Sequence, residues 1–402
     1  MRFLLIPGNN SLSHGLKSIA IQRRLLSNGH ESIIAVTPGR AGFYDKQNAS
    51  YTMIRDIQET DGSPFPTMNW FREREKIIEC IESEIALISG YKPDRVLGTF
   101  RFTLKASATL CRIPFDSLIC GCMLPNTHGA LGFHNETQDP EGHREFINMF
   151  FRSAGIKMSK AISHFGLTPI DDIREMFVGK RTFLWDIPEF MPLSEKKGFI
   201  HVGPLSWNEG THGDVDLYSI AENTKPLAVL TFGTCNGNIT QLTRLINILY
   251  HLGYKVIVAA GGQGKLLLPF KDDTRVSSYL FAPINKILPH ASLVICHGGQ
   301  MTIFEALANE VPVAVIPFHP EQAHNGVCLE RIGCGRMLIP ACRFIGNSAV
   351  YTDALEKTGD DQLKSMIVKL VENPGTKENL KKFKNIIAQY NGLETLTSLL
   401  GQ

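Results

Sequence analysis

Residues 294–326, VICHGGQMTIFEALANEVPVAVIPFHPEQAHNG, gather the side chains best suited to chemistry. An apolar run halts at His297, Gly298 and Gly299, and a helical pattern follows. Paired glycines admit a ligand close to the backbone. A helix opening near Gln300 or Met301 turns its free N–H groups and positive dipole end outward, which makes an anion site. His297 at the strand tip can donate to a phosphate oxygen, Gly299 gives backbone access, and Thr302 adds a hydroxyl. Glu305 can accept two bonds from vicinal hydroxyls such as those of a ribose. A second apolar run, carrying Pro312 and Pro317, ends in Glu321 and Gln322, placed to read sugar hydroxyls. Each residue alone has a plainer role as turn cap, helix-opening acid or surface group. Their order at the ends of two neighbouring strands argues against coincidence.

The stretch GNNSLSHGLKSIAIQRRLLSNGHE holds the second candidate. His14 follows the first apolar run and opens a helix, whose N-terminus disfavours imidazolium and favours the neutral base. A neutral imidazole suits removal of a proton from a hydroxyl. The competing reading is an ordinary helix-cap histidine. His30 reads as structural, marking the helix end.

These residues need strands to carry them. RFLLIP, ESIIAVT and DRVLGTF read as strands, with helices such as LKSIAIQRRLLSNGH and FREREKIIECIESEIALISG between them. The alternation restarts with PLAVLTFG, YKVIVAAGG, VSSYLFAP, SLVICHGG and VPVAVIPF, again with helical patterns between. Such alternation specifies an α/β chain with doubly wound parallel sheets. At 402 residues two domains are expected. We place a Rossmann-like domain at 1–205, a linker at 206–225, a second Rossmann-like domain at 226–385 and a helical tail at 386–402. Ligands of open α/β sheets bind beyond the strand carboxyl ends, so the site is expected in a cleft between the two domains.

Composition narrows the classes. The net charge of +2 writes no strong attraction to nucleic acid into the chain. No stretch approaches the ~18–20 apolar residues of a membrane span. The run in MRFLLIPGNN stops at Pro7-Gly8, which suits a buried strand better than a signal peptide. Nine cysteines without a C-x-x-C pair suggest reduced thiols, a cytoplasmic protein and no metal site. Asp214-Val215-Asp216 spells D-x-D, but in the linker, where it reads as accidental.

The segment from His297 onward resembles the donor-binding signature of inverting GT-B glycosyltransferases, those of the UDP-glucuronosyl/antibiotic type and the related MurG-like group. Its His-Gly-Gly, Thr, Glu-Ala-Leu, Pro, acid-Gln and Asn pattern is met by His297, Gly298, Gly299, Thr302, Glu305, Pro312, Pro317, Glu321, Gln322 and Asn325. Upstream, YLFAPINKILPHASLVICHGG and VLTFGT fit the same pattern. The resemblance implies that Phe281 stacks on the base, the Ala282 backbone reads its edge and Thr234 contacts the diphosphate. It also implies a C-terminal helix crossing back to the N-terminal domain. Met301, Phe281 and Glu321 depart from the commonest residues without removing a needed group.

Counting back from Gly29-His30-Glu31 places His14 where the family has its catalytic histidine, with Ser13 for the usual Gly and Lys17 for the usual Pro. Thr99 stands where many relatives carry the Asp that orients this histidine. Another carboxylate such as Asp116, a histidine working alone, or a different base or changed reaction are the alternatives. The implied reaction moves a sugar from a UDP- or dTDP-linked donor to an acceptor hydroxyl, with no cofactor and no metal. The rivals are a sugar-nucleotide epimerase or hydrolase of GT-B architecture, and a non-catalytic auxiliary protein that activates a partner transferase.

Acceptor contacts are expected from Met123–Phe133 and from Phe150 and Phe151, unless these phenylalanines are helix-pair core. Arg152, Lys157 and Lys160 offer a weak surface for anionic lipid, hence peripheral membrane contact, against the plainer reading of a solvated face. Oligomeric state is not indicated.

Overall fold

The computed structural model describes residues 1–57, 68–124, 140–193, 198–205, 225–233, 238–339 and 355–402. The chain divides into two compact units, one of Met1–Gly129, Glu141–Trp207 and Asn391–Gln402, the other of Ala130–Pro140 and Asn208–Tyr390. The linker expected at 206–225, with its D-x-D, lies outside the described residues except for Lys225.

Unit 1 is built on a seven-stranded sheet of β1 (Arg2–Pro7), β2 (Glu31–Val36), β3 (Tyr51–Met53), β4 (Arg95–Thr99), β5 (Phe115–Ile119), β6 (Arg181–Leu184) and β7 (Phe199–His201), in the order β3-β2-β1-β4-β5-β6-β7. Every pairing is parallel. A parallel sheet is covered on both faces, so its central strands are uniformly apolar. Phe3, Leu4, Leu5 and Ile6 of β1 are accordingly buried. Its helices are α1 (Leu12–Ser27), α2 (Ala41–Lys46), α3 (Arg74–Tyr91), α4 (Leu104–Leu110) and α5 (Pro140–Ile162). Ser11 starts α1 by accepting from the Ser13 N–H, a normal N-cap. Asn28 and Gly29, the latter at φ 78°, end it where the sequence pattern places the stop.

Unit 2 repeats the plan with β8 (Leu227–Thr231), β9 (Lys255–Ala259), β10 (Val276–Tyr279), β11 (Leu293–Cys296), β12 (Val313–Val315) and β13 (Gly335–Met337), ordered β10-β9-β8-β11-β12-β13. All its pairings are parallel. Its helices are α6 (Ile239–His251), α7 (Ile284–Ile287), α8 (Gln300–Ala308), α9 (Pro320–Arg331), α10 (Asp360–Glu372) and α11 (Pro374–Ile387).

The final helix, α12 (Gly392–Leu400), belongs to unit 1 and packs along α1, where Arg24 and Glu394 pair at 2.7 Å. Arg181 of β6 donates to the Leu399 carbonyl. The return of this helix matches the expectation.

In both units the first strand in sequence pairs with the fourth on one side and the second on the other. Strand order reverses there, and at such a switch point the flanking loops diverge and leave a crevice. In unit 1 it lies between β1 and β4, in unit 2 between β8 and β11.

Candidate active site

The unit 2 switch point carries His297. β11 ends at Cys296, and the chain turns through Gly298, at φ 92°, into α8, whose N-cap is Gly299. The imidazole lies between two glycines: a Cβ on Gly233 would come within 2.8 Å of its Cε1, and one on Gly299 within 2.6 Å of its Nε2. A side chain at either place would force the ring to shift, so the two glycines form a cradle for the imidazole. Among the described residues the buried Nδ1 of His297 has no hydrogen-bond partner. Burial lowers the pKa from 6.5 to about 4, with the nearby Thr231 carbonyl opposing but outside hydrogen-bonding geometry with Nδ1. His297 is therefore neutral at pH 7, free to be a donor to an anion through whichever nitrogen holds the proton.

α8 starts at Gln300, as the sequence indicates, and its first backbone bond runs from the Ile303 N–H to the Gly299 carbonyl at 3.1 Å. The preceding amides have no intrahelical acceptor. Thr302, half-buried, lies in this first turn. Glu305, one turn further, is half-buried, and its backbone carbonyl accepts from Asn309 Nδ2 at 2.8 Å. Burial raises its pKa from 4.5 to about 7. A carboxylate so poorly solvated gains from any ligand that offers hydroxyl donors.

Phe281 projects from the loop after β10 with 45% of its surface exposed, and its ring lies above Gly262 in the turn after β9. An exposed ring over a bare backbone is a platform for a flat ligand. Ala282, the next residue, uses its carbonyl to accept from the Ile284 N–H at 2.9 Å. Thr234 lies outside the described residues.

At the end of β12 the residues divide by role. Glu321 is half-buried in the first turn of α9, with Oε1 3.4 Å from Asn325 Nδ2. Gln322, expected to read sugar hydroxyls, is the next residue of this turn. It is buried, and its Oε1 accepts from the Phe318 N–H at 2.8 Å, bracing the strand-to-helix turn. Asn325, fully buried, donates to the Gly298 carbonyl at 2.9 Å and accepts from Gln300 Nε2 at 3.1 Å. It ties α9 to the histidine loop.

His319 escaped the sequence reading. It is the buried N-cap residue of α9, and its pKa falls to about 3 through burial and then the nearby His297. A histidine and a proline directly before Glu-Gln, at a strand end, were the available signal.

Unit 1 holds His14 at its own switch point. The histidine is in the first turn of α1 and only 6% exposed. Its ring stacks on Phe100 at 5.2 Å between centroids and 24° between planes, and lies 5.9 Å from Trp185. Nδ1 is buried without a partner among the described residues. Burial first, then the charges of Lys17 and Arg40, lower the pKa from 6.5 to about 3, against the Gly8 carbonyl. Lys17 is buried one turn along, its Nζ 4.5 Å above the Trp185 ring.

Phe100 follows β4 with φ 55°, a left-handed conformation that costs a non-glycine residue about 1–3 kcal/mol. Its carbonyl presses on Gly8, where a Cβ would stand 2.4 Å away. Beside it Arg101 is fully enclosed, pairing with Asp56 at 2.8 Å and Glu84 at 2.7 Å, while Asp56 accepts from the Asn9 N–H at 2.9 Å.

No carboxylate among the described residues is hydrogen-bonded to His14. Asp116 does not supply one: it is in the first half of β5, held by Arg95 at 3.2 Å and Arg181 at 2.5 Å. Phe151 is core, 1% exposed beneath the Arg174 guanidinium at 4.4 Å, and Phe150 packs edge-on against it. Met123 and Leu124 are buried, and the rest of the expected acceptor loop, 125–133, lies outside the described residues. His30 meets the ring of Phe3, in the structural role expected. Among the described residues the cysteines are free thiols, and no helix is long and apolar enough to cross a membrane.

Two doubly wound sheets, with a glycine-cradled histidine and a helix N-terminus at the second switch point, give the two-sheet α/β fold of GT-B glycosyltransferases. Residues 210–390 match the glycosyltransferase family 28 C-terminal domain. Over 364 residues the chain is 23% identical to the PGL/p-HBAD biosynthesis rhamnosyltransferase of Mycobacterium bovis (strain BCG / Pasteur 1173P2), covering 84% of this chain and 76% of that one. Among solved structures, the glycotransferase of kitacinnamycin superposes with a TM-score of 0.73 at 16% identity, over 99% of this chain and 98% of that one. The glycosyltransferase SsfS6 of Streptomyces sp. SF2575, solved with thymidine diphosphate, gives 0.69 at 18% identity over 100% and 99%. At these identities the two structures speak to the fold.

Proposed function

We propose that the protein is an inverting glycosyltransferase that moves a sugar from a nucleoside-diphosphate donor to a hydroxyl of an apolar small-molecule or lipid acceptor. The observation that carries this reading is the cradle around His297 at the mouth of α8, inside the matched domain. The donor's diphosphate takes the α8 amides, His297 and Thr302, with Thr234 assigned beside them; Glu305 takes ribose hydroxyls; Phe281 and the Ala282 backbone take the base; Glu321 takes the sugar. Thymidine is favoured over uridine because SsfS6 holds thymidine diphosphate. An apolar acceptor accords with the name of the mycobacterial relative and with the aromatic surroundings of His14.

In the reaction the acceptor oxygen attacks the anomeric carbon while His14 takes its proton. The bond to the diphosphate breaks with its electrons, and the leaving charge falls on preorganised donors, which are worth most out of water. One displacement inverts the anomeric carbon. A pKa near 3 keeps His14 bare at neutral pH but makes it a weak base, since proton transfer is most efficient from a base matched to the working pH. Its effect therefore rests on placement.

The test is turnover of dTDP-L-rhamnose and UDP-glucose with a fluorescent phenol, 4-methylumbelliferone, with NMR of the product's anomeric configuration and a control without acceptor. We expect an inverted glycoside, and a fall in kcat of about 10²–10⁴-fold for His14→Ala. Equal donor breakdown without acceptor would turn the assignment to a hydrolase. Undiminished turnover by His14→Ala would remove the base.

A further inference from the structure

His14 has the place of a base, but among the described residues no carboxylate orients it, and its Nδ1 is buried and unpartnered there. The imidazole is instead held by rings. Phe100 stacks on it at 5.2 Å with planes 24° apart, and Trp185 lies 5.9 Å away. Phe100 is itself fixed, edge-on to Phe102 at 5.4 Å and against Phe177 at 5.2 Å.

The backbone is what sends this ring to the histidine. Phe100 is held at φ 55°, a conformation that side-chain-bearing residues adopt only when their surroundings impose it. The surroundings here are specific. On one side the Thr99 carbonyl accepts from the Gly8 N–H at 2.7 Å. On the other, Arg101 is locked between Asp56 and Glu84, and Asp56 also holds the Asn9 N–H. Both flanks of Phe100 are thereby fastened to Gly8 and Asn9 of the β1–α1 loop, which leads into the helical turn that carries His14. The charged groups facing the imidazole are Lys17 and Arg40, both cations, and the remaining polar neighbour is the Gly8 carbonyl, so no carboxylate among the described residues sets its orientation.

We propose that Phe100 is a positioning residue, which with Trp185 fixes the plane of the His14 imidazole in place of a carboxylate. The inference rests on the reading of His14 as the base. It also accounts for Thr99 standing where an acid is usual: an orientation imposed by packing needs none.

The experiment uses the 402-residue chain with isotope-labelled histidine. Nuclear Overhauser contacts between the His14 and Phe100 rings are read in the native protein. The His14 ring signals are then compared in Phe100→Leu, which keeps bulk but loses the ring, and Phe100→Tyr, which keeps the ring. Kinetics are followed with dTDP-L-rhamnose and 4-methylumbelliferone. We expect the contacts in the native protein, and altered His14 ring signals in the leucine variant. Its kcat should fall about 10- to 100-fold with donor KM nearly unchanged, as for a misplaced group, and tyrosine should restore most of the rate.

Absence of the ring contacts in the native protein overturns the proposal, even if the leucine variant does not fold. So does a leucine variant with native kcat and native His14 signals, or a tyrosine variant as impaired as leucine. Undiminished turnover by His14→Ala sinks the base reading instead, which separates the two failures.

Discussion

The histidines are the residues through which this molecule meets pH. His14, His297 and His319 are buried, and burial lowers their pKa values from 6.5 to about 3, about 4 and about 3. In the unfolded chain each binds its proton near the ordinary value. Between the two values the unfolded state holds more protons, so stability rises with pH there. Their contribution is complete above about 6.5 and is lost as pH falls toward 4. Glu305 acts the other way: its folded pKa of about 7 lies above the ordinary 4.5, so its contribution is lost as pH rises through that range. Three groups oppose one. Urea unfolding followed from pH 7 to pH 5 should show falling stability, and His319→Gln should flatten the slope. A stability independent of pH over this window would show that the histidines are not held neutral.

At the scale of elements, the strand-to-helix turns determine whether the site exists. Asn325 of α9 reaches the Gly298 carbonyl and Gln300 of α8, so two helices hold the histidine loop from below. Asn325→Ala leaves buried polar groups unpaired, which costs about 1–3 kcal/mol each. We expect a loss of that order in urea unfolding, together with weaker binding of thymidine diphosphate. Destabilisation with native affinity would mean that the loop keeps its shape without the brace.

These turns also show how far the sequence could be read. His297, Gly299 and the start of α8 were legible, because a strand, a glycine pair and a helix leave separate marks. The role of Gln322 was not: only the folded turn shows its side chain directed back to the Phe318 amide. His14 was placed from its spacing to Gly29 and His30, but the stack on Phe100 joins residues of different strands and leaves no local pattern.

The whole molecule was legible as α/β because its central strands are continuous apolar runs. Strands β3, β6, β7 and β13, of three or four residues each, were missed, whereas the equally short β12 was read because apolar residues extend its run on both sides. β5 was hidden by Asp116, whose charge is answered by arginines of β4 and β6. At this scale the claim is that unit 2 is a nucleotide-diphosphate module centred on His297.

Calorimetric titration of the 402-residue chain with thymidine and uridine diphosphates, repeated with His297→Ala, tests that claim most directly. The account expects binding of one or both by the native protein and about 10- to 100-fold weaker binding by the variant, the loss of one hydrogen bond to a charged group. Adenosine and guanosine diphosphates should bind less well. If the native protein takes up none of these nucleotides, or if the alanine variant binds as tightly as the native chain, the account is contradicted.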